Sequence, residues 1–74
     1  MNYRNLKDKF IEELNEKGTP KIISVAVKLP SGAIEVITNT QETKSKAEYY
    51  LNIYNEEFQL KHNTDIQIVG YMIV

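Results

Sequence analysis

The chain has no cysteine, so disulfides cannot staple it and zinc sites built on thiolates are excluded. Arginine is nearly missing as well: Arg4 is the single arginine among nine basic residues. The side chain best suited to bidentate recognition of phosphate or carboxylate is therefore scarce. Neither sign of charge dominates, with ten acidic residues against nine basic ones and a net charge of −1. The two signs are interspersed, so the electrostatic footprint of a nucleic-acid or anionic-membrane binder is absent. No wholly apolar run approaches the ~20 residues that cross a bilayer. The first residues hold no basic stretch followed by an apolar one, so no secretory signal is expected. Together these absences predict a soluble, cytoplasmic protein.

What remains is a single small α+β domain over residues 1–74, near the lower size limit for a self-sufficient core. Asn2 to Lys17 reads as a helix in which Tyr3, Leu6, Phe10 and Leu14 form one apolar stripe, with Ile11 at its flank. Glu13 and Lys17 make a favourable i,i+4 pair, and Gly18 followed by Thr19-Pro20 ends the helix. From Lys21 to Thr40 the chain writes a β-hairpin whose two faces both carry apolar residues. Ile23, Val25, Val27 and Leu29 alternate with Ile22, Ser24, Ala26 and Lys28. A sheet with one wet face should alternate more cleanly.

Two registers compete for this hairpin. Matching the faces pairs Leu29 with Ile34, Val27 with Val36, Val25 with Thr38 and Lys28 with Glu35. A type I turn at Leu29-Pro30-Ser31-Gly32 would instead pair Leu29 with Ala33 and set Val27 against Glu35. The first is preferred because burial outweighs turn preference. A second helix is predicted from Thr43 to Lys61, with Asn39, Thr40 or a Ser45–Glu48 capping box at its start. Ala47, Tyr50, Leu51, Tyr54 and Phe58 line one side; Tyr49, Ile53 and Leu60 form a second stripe. Asp65 to Val74 reads as the last strand.

The order α-β-β-α-β, with a right-handed crossover, predicts a three-stranded antiparallel sheet in the order 2-1-3 with two helices packed on one face. The predicted core gathers Leu6, Phe10 and Leu14; Val25, Val27, Ile34 and Val36; Leu51, Tyr54 and Phe58; and Ile66 and Ile68. That leaves Ala26, Ile37, Val69, Tyr71 and Ile73 on the far side of the sheet, and Tyr49, Ile53 and Leu60 on the second helix. Contiguous apolar patches of this kind mark interaction surfaces, so these residues are the candidate protein interface. The alternative is that the first helix packs over Ile53 and Leu60, or covers the other sheet face.

No catalytic group stands out. His62, the single histidine, has Asp65 three residues on, but across an expected helix end, so it reads as a residue of the last helical turn. Glu56 and Glu57 are adjacent and diverge from a helix, which suits a solvated surface. No spacing of histidines, carboxylates or thiols suits a metal, and no cofactor or small-molecule ligand is expected. The element order is similar to that of KH-type domains. Their GXXG loop is missing, however, since the glycines are Gly18, Gly32 and Gly70. Lys44, Lys46 and Lys61 are the residues a nucleic-acid binder would use.

Lys28-Leu29-Pro30-Ser31-Gly32-Ala33-Ile34-Glu35-Val36-Ile37, a tyrosine-rich helix and Ile66-Gln67-Ile68-Val69-Gly70-Tyr71 follow one another along the chain. The pattern resembles the small uncharacterised proteins of bacteriophages and prophages of low-GC Gram-positive bacteria. The resemblance carries no functional motif; it implies expression in a bacterial cytoplasm and a protein partner. The expected function is a non-enzymatic interaction module that binds itself, as a homodimer, or another protein. A nucleic-acid-binding domain is the alternative.

Overall fold

In the computed structural model, which describes residues 5–74, Asn5 opens the first helix. Its side chain accepts the Asp8 N–H at 2.9 Å, satisfying a donor that the helix leaves free. Helix α1 runs Leu6–Lys17 and closes on Gly18, whose N–H still reaches the Leu14 carbonyl at 2.9 Å and whose φ of 69° turns the following chain out of the helix. Asn2–Arg4 of the expected helix, Tyr3 of its stripe included, lie outside the described residues. Phe10 is fully buried and Leu6 and Leu14 pack beside it.

Strands β1 (Ile23–Lys28) and β2 (Ile34–Asn39) form the hairpin, but in the register that the turn dictates. Val27 lies opposite Glu35, Val25 opposite Ile37 and Ala26 opposite Val36. The turn wins because it is tightly bonded. Gly32 N–H reaches the Leu29 carbonyl and Leu29 N–H reaches the Ala33 carbonyl, both at 2.8 Å, with Gly32 at φ 90°. This is a three-residue loop with its left-handed position on glycine. The face-matching register is thereby overturned, and Ile34 and Val36, expected in the core, turn outward at 56% and 65% exposure.

Helix α2 spans Thr43–Ile53 and stops well short of Lys61. Neither the Ser45–Glu48 box nor an Asn39 or Thr40 cap starts it. Glu42 precedes it in a left-handed conformation without a side-chain cap. Asn39 instead donates to the Tyr50 hydroxyl at 2.9 Å, and Thr43 donates to the Pro20 carbonyl. Beyond Ile53 the chain turns back sharply. The Asn55 carboxamide oxygen accepts the N–H groups of Glu57 and Gln59, each at 2.9 Å, an Asx-type closure that competes with helix. Strand β3, Gln59–Leu60, follows and pairs with β4, Asn63–Ile73.

The sheet is therefore four-stranded and antiparallel, in the order β2-β1-β4-β3. The expected placement of the last long strand beside β1 holds, and β3 adds a short fourth strand at its far edge. Phe10 from α1, Ala47 and Tyr50 from α2, and Ile23, Val25 and Val27 from β1 belong to one buried cluster. Both helices thus lie on one face of the sheet, a two-layer arrangement with extents of 35 × 33 × 17 Å. Phe58, Tyr54, Ile68 and Ile73 complete the buried core.

Candidate functional site

The face of the sheet away from the helices follows from strand alternation. Side chains paired across antiparallel strands share a face, so Ser24, Ala26 and Lys28 stand with Thr38, Val36 and Ile34 on the outer side. On β4 the matching residues are Met72, Gly70 and Gln67. Backbone bonds between Ile22 and Val74, at 3.0 and 3.4 Å, extend the same face by one pair. Val69 has no partner on β1, because Ala26 pairs with Gly70 and Val27 with Ile68. It is the extra residue of a β-bulge and is 43% exposed.

Among the described residues no helix covers this face. Ile34, Val36, Met72 and Val74 are each at least half exposed, and Lys28 is the one charged side chain within the β1 span. Ala26, Val36, Gly70 and Met72 line a shallow groove there. The Ser24 hydroxyl bonds the Thr38 hydroxyl at 3.0 Å, so the polar pair on this face is largely occupied with itself. A surface with this many exposed apolar side chains suits contact with another apolar surface.

The sequence-predicted interface residues separate into different environments. Ala26 sits half-buried on the outer face and Val69 protrudes at the bulge. Tyr71 and Ile73 are on the helix side, contrary to expectation. Ile73 is 3% exposed, and the Tyr71 ring stands edge-on to Phe10 at 5.2 Å. The bulge shifts the alternation after Ile68, which is why these two side chains change sides and Met72 takes the outer place. Ile37 shares the face of Val25 yet remains 38% exposed on the outermost strand. Ile53 and Leu60 pack against the core. Tyr49 is exposed on α2, with the Lys46 ammonium 5.7 Å from its ring centre, a cation–π contact. The stripe of Tyr49, Ile53 and Leu60 does not exist as one surface, since Leu60 lies on a strand.

Other polar groups serve the architecture. The Lys7 ammonium donates to the carbonyls of Leu51 and Tyr54 at 3.0 and 2.8 Å, placing a cation on the C-terminal end of α2. Burial, with the Lys61 ammonium nearby, lowers its pKa from the ordinary lysine value. Asn5 donates to the Glu56 carbonyl at 2.7 Å, and Lys17 donates to the Ile73 carbonyl. Burial raises the pKa of the Tyr54 phenol, aided by Tyr50 and Tyr49, and raises that of Tyr71, aided by Glu13.

His62 lies in the turn between β3 and β4, and Glu56 and Glu57 lie in the turn after α2, all exposed rather than on a helix. Among the described residues no cluster of histidines and carboxylates could hold a metal ion, and no helix is long and apolar enough to cross a membrane. Lys44 and Lys46 are on α2 while Lys61 follows β3, so they do not form one basic strip. A groove of about 340 Å³ between the helices, lined by Leu14, Ala47, Leu51, Lys44 and Glu48 among others, is open and lacks convergent buried polar groups of the kind that orient a small ligand. Compared with family models, curated proteins and solved structures, the chain matches none.

Proposed function

We propose that this chain is a protein-interaction module, not an enzyme, and that it docks a protein partner on the helix-free side of its sheet. The observation that carries this reading is the exposure of Ile34, Val36 and Met72, at 56%, 65% and 53%, on a face where Lys28 is the one charge of the β1 span. A domain this small loses relatively much by leaving apolar side chains in water, because its own core is limited. Covering that face with a partner recovers the burial. The resemblance to small phage and prophage proteins points to a bacterial or phage protein as that partner.

The test is affinity capture from a bacterial lysate with the tagged chain, beside its Val36→Lys and Met72→Lys variants. Both substitutions lie on the outer face, and far-UV circular dichroism checks that each variant is folded. Proteins retained by the wild type and lost from both variants are expected. Identical retained sets for all three proteins would overturn the reading.

A further inference from the structure

Strand β2 is the outermost strand on its side of the sheet. Resting on the reading of this sheet as an interaction surface, we propose that β2 pairs with β2 of a second copy. The strands run antiparallel with Val36 on the two-fold axis, joining the two sheets into one. The hydrogen-bond pattern fixes which groups are free for this. Leu29 N–H bonds the Ala33 carbonyl, so by antiparallel alternation the backbone groups of Glu35, Ile37 and Asn39 also face β1. Those of Ile34, Val36 and Thr38 point away from the sheet, at the open edge.

Self-pairing about Val36 sets Val36 against Val36 and Ile34 against Thr38 of the second copy. Every outward N–H and C=O of these residues then finds a partner, and outer face meets outer face without a slip in parity. Sliding the axis to Glu35 would place two like charges directly opposite, which is unfavourable. Sliding it to Ile37 leaves Ile34 facing Thr40, beyond the end of the strand. The Val36 register also puts Glu35, the one charge of β2, against Ile37, so no like charges meet.

One feature of the strand resists such pairing, the charge of Glu35, which stands on the side of Val27; the other common devices are missing. Natural edges are blunted by lysine, proline, bulges or shortness, and Ile34-Glu35-Val36-Ile37-Thr38-Asn39 has no lysine or proline and pairs with β1 without a bulge. The opposite edge, β3, is two residues long and irregular in register. A net charge of −1 adds little mutual repulsion between copies. The contact is small. A six-residue strand offers a strip ~20 Å long and ~20 Å tall, counting side chains on both faces. That is roughly 400 Å² per copy, below the ~1,200 Å² total of stable interfaces. The dimer is accordingly a concentration-dependent one.

Sedimentation velocity between about 10 µM and 1 mM tests this on the intact chain, with Val36→Pro and Met72→Lys. The Val36 N–H makes no bond to β1, so proline there spares the hairpin and removes the donor on the axis. Met72 lies on β4, away from the edge. The wild type and Met72→Lys should rise from the mass of one chain, 8.6 kDa, toward twice that value, while folded Val36→Pro stays at one. Amide exchange of the wild type at Ile34, Val36 and Thr38 should slow roughly tenfold or more over the same range, which decides the matter even where the proline variant fails to fold. A wild type that stays at one mass with unchanged exchange overturns the proposal, as does a Val36→Pro variant that dimerises like the wild type. Dimer loss in Met72→Lys overturns it too, assigning the contact to the face instead of the edge. A monomer whose outer-face variants still lose a captured protein refutes self-pairing and leaves the interaction reading in place.

Discussion

Phe58 meets two demands that ordinarily fall on different residues. Its backbone takes the left-handed position of a tight loop, at φ 61°, with its N–H on the Asn55 carbonyl at 3.0 Å and Asn55 N–H on the Gln59 carbonyl at 2.8 Å. The loop at Gly32 has the same bonding with glycine in that place. A side chain there costs about 1–2 kcal/mol, and Phe58 offsets it by full burial. Its ring lies 5.5 Å from Phe10 and 6.0 Å from Tyr54, edge-on to both. We expect Phe58→Ala to lose about 3–5 kcal/mol in urea denaturation, and Gly32→Ala about 1–2 kcal/mol, from strain alone. Equal losses would show that the ring contributes little. Tyr54 supports a second expectation. Burial raises its pKa above the unfolded tyrosine value, so above pH ~10 the unfolded chain gives up the phenolic proton before the folded one does. Stability contributed by Tyr54 is full below that pH and lost as pH rises through the folded pKa. Tyr54→Phe should therefore lose less melting temperature than the wild type between pH 8 and pH 11; an equal loss in both proteins contradicts the argument.

The elements differ in how openly the sequence announces them. Helix α1 is legible at its C-terminal end because Gly18 and Pro20 are local signals with local physics. The end of α2 is not, because Tyr50, Tyr54 and Phe58 keep helical spacing while the backbone leaves the helix at Tyr54. Asn55 held the clue, as a residue whose side chain can replace helical bonding with a turn. Its effect is reinforced by Lys7, which comes from a distant helix to hold the last carbonyls. The bulge in β4 is likewise invisible to a count of alternating residues, because nothing in Ile68-Val69-Gly70 forces an extra residue into the ladder. It yields a sharp test. Deleting Val69 leaves Ile68 against Val27 and Gly70 against Ala26, a regular ladder with every other side chain on its present face. Deleting Ala26 from β1 drives Ser24 into the place of Val25 and turns Val25 and Ile23 outward. We expect the first variant to keep a cooperative urea transition and the second to lose it. If both unfold alike, Val69 is not the dispensable residue of the ladder.

At the scale of the whole molecule, the layer structure and the neighbours of β1 follow from element order, hydrophobic periodicity and crossover handedness. Which side chains each strand sends to which layer depends on two small irregularities, the loop at Gly32 and the bulge at Val69. Their consequences are large. Together they remove Ile34 and Val36 from the expected core, bring in Tyr71 and Ile73, and leave the bare face on which the proposed function rests. Alanine substitution separates the two arrangements. Val36 is 65% exposed, so Val36→Ala should change stability by no more than about 0.5 kcal/mol. Ile73 is 3% exposed within the core, so Ile73→Ala should cost about 2–5 kcal/mol. A face-matched hairpin and an unbulged last strand demand the reverse order. A chain of 74 residues has only about 4–11 kcal/mol in all, so the larger loss removes much of the total and shifts the urea midpoint far beyond error. A costly Val36→Ala beside a neutral Ile73→Ala would return Val36 to the core, cover the outer face, and take from the interaction reading the surface it depends on.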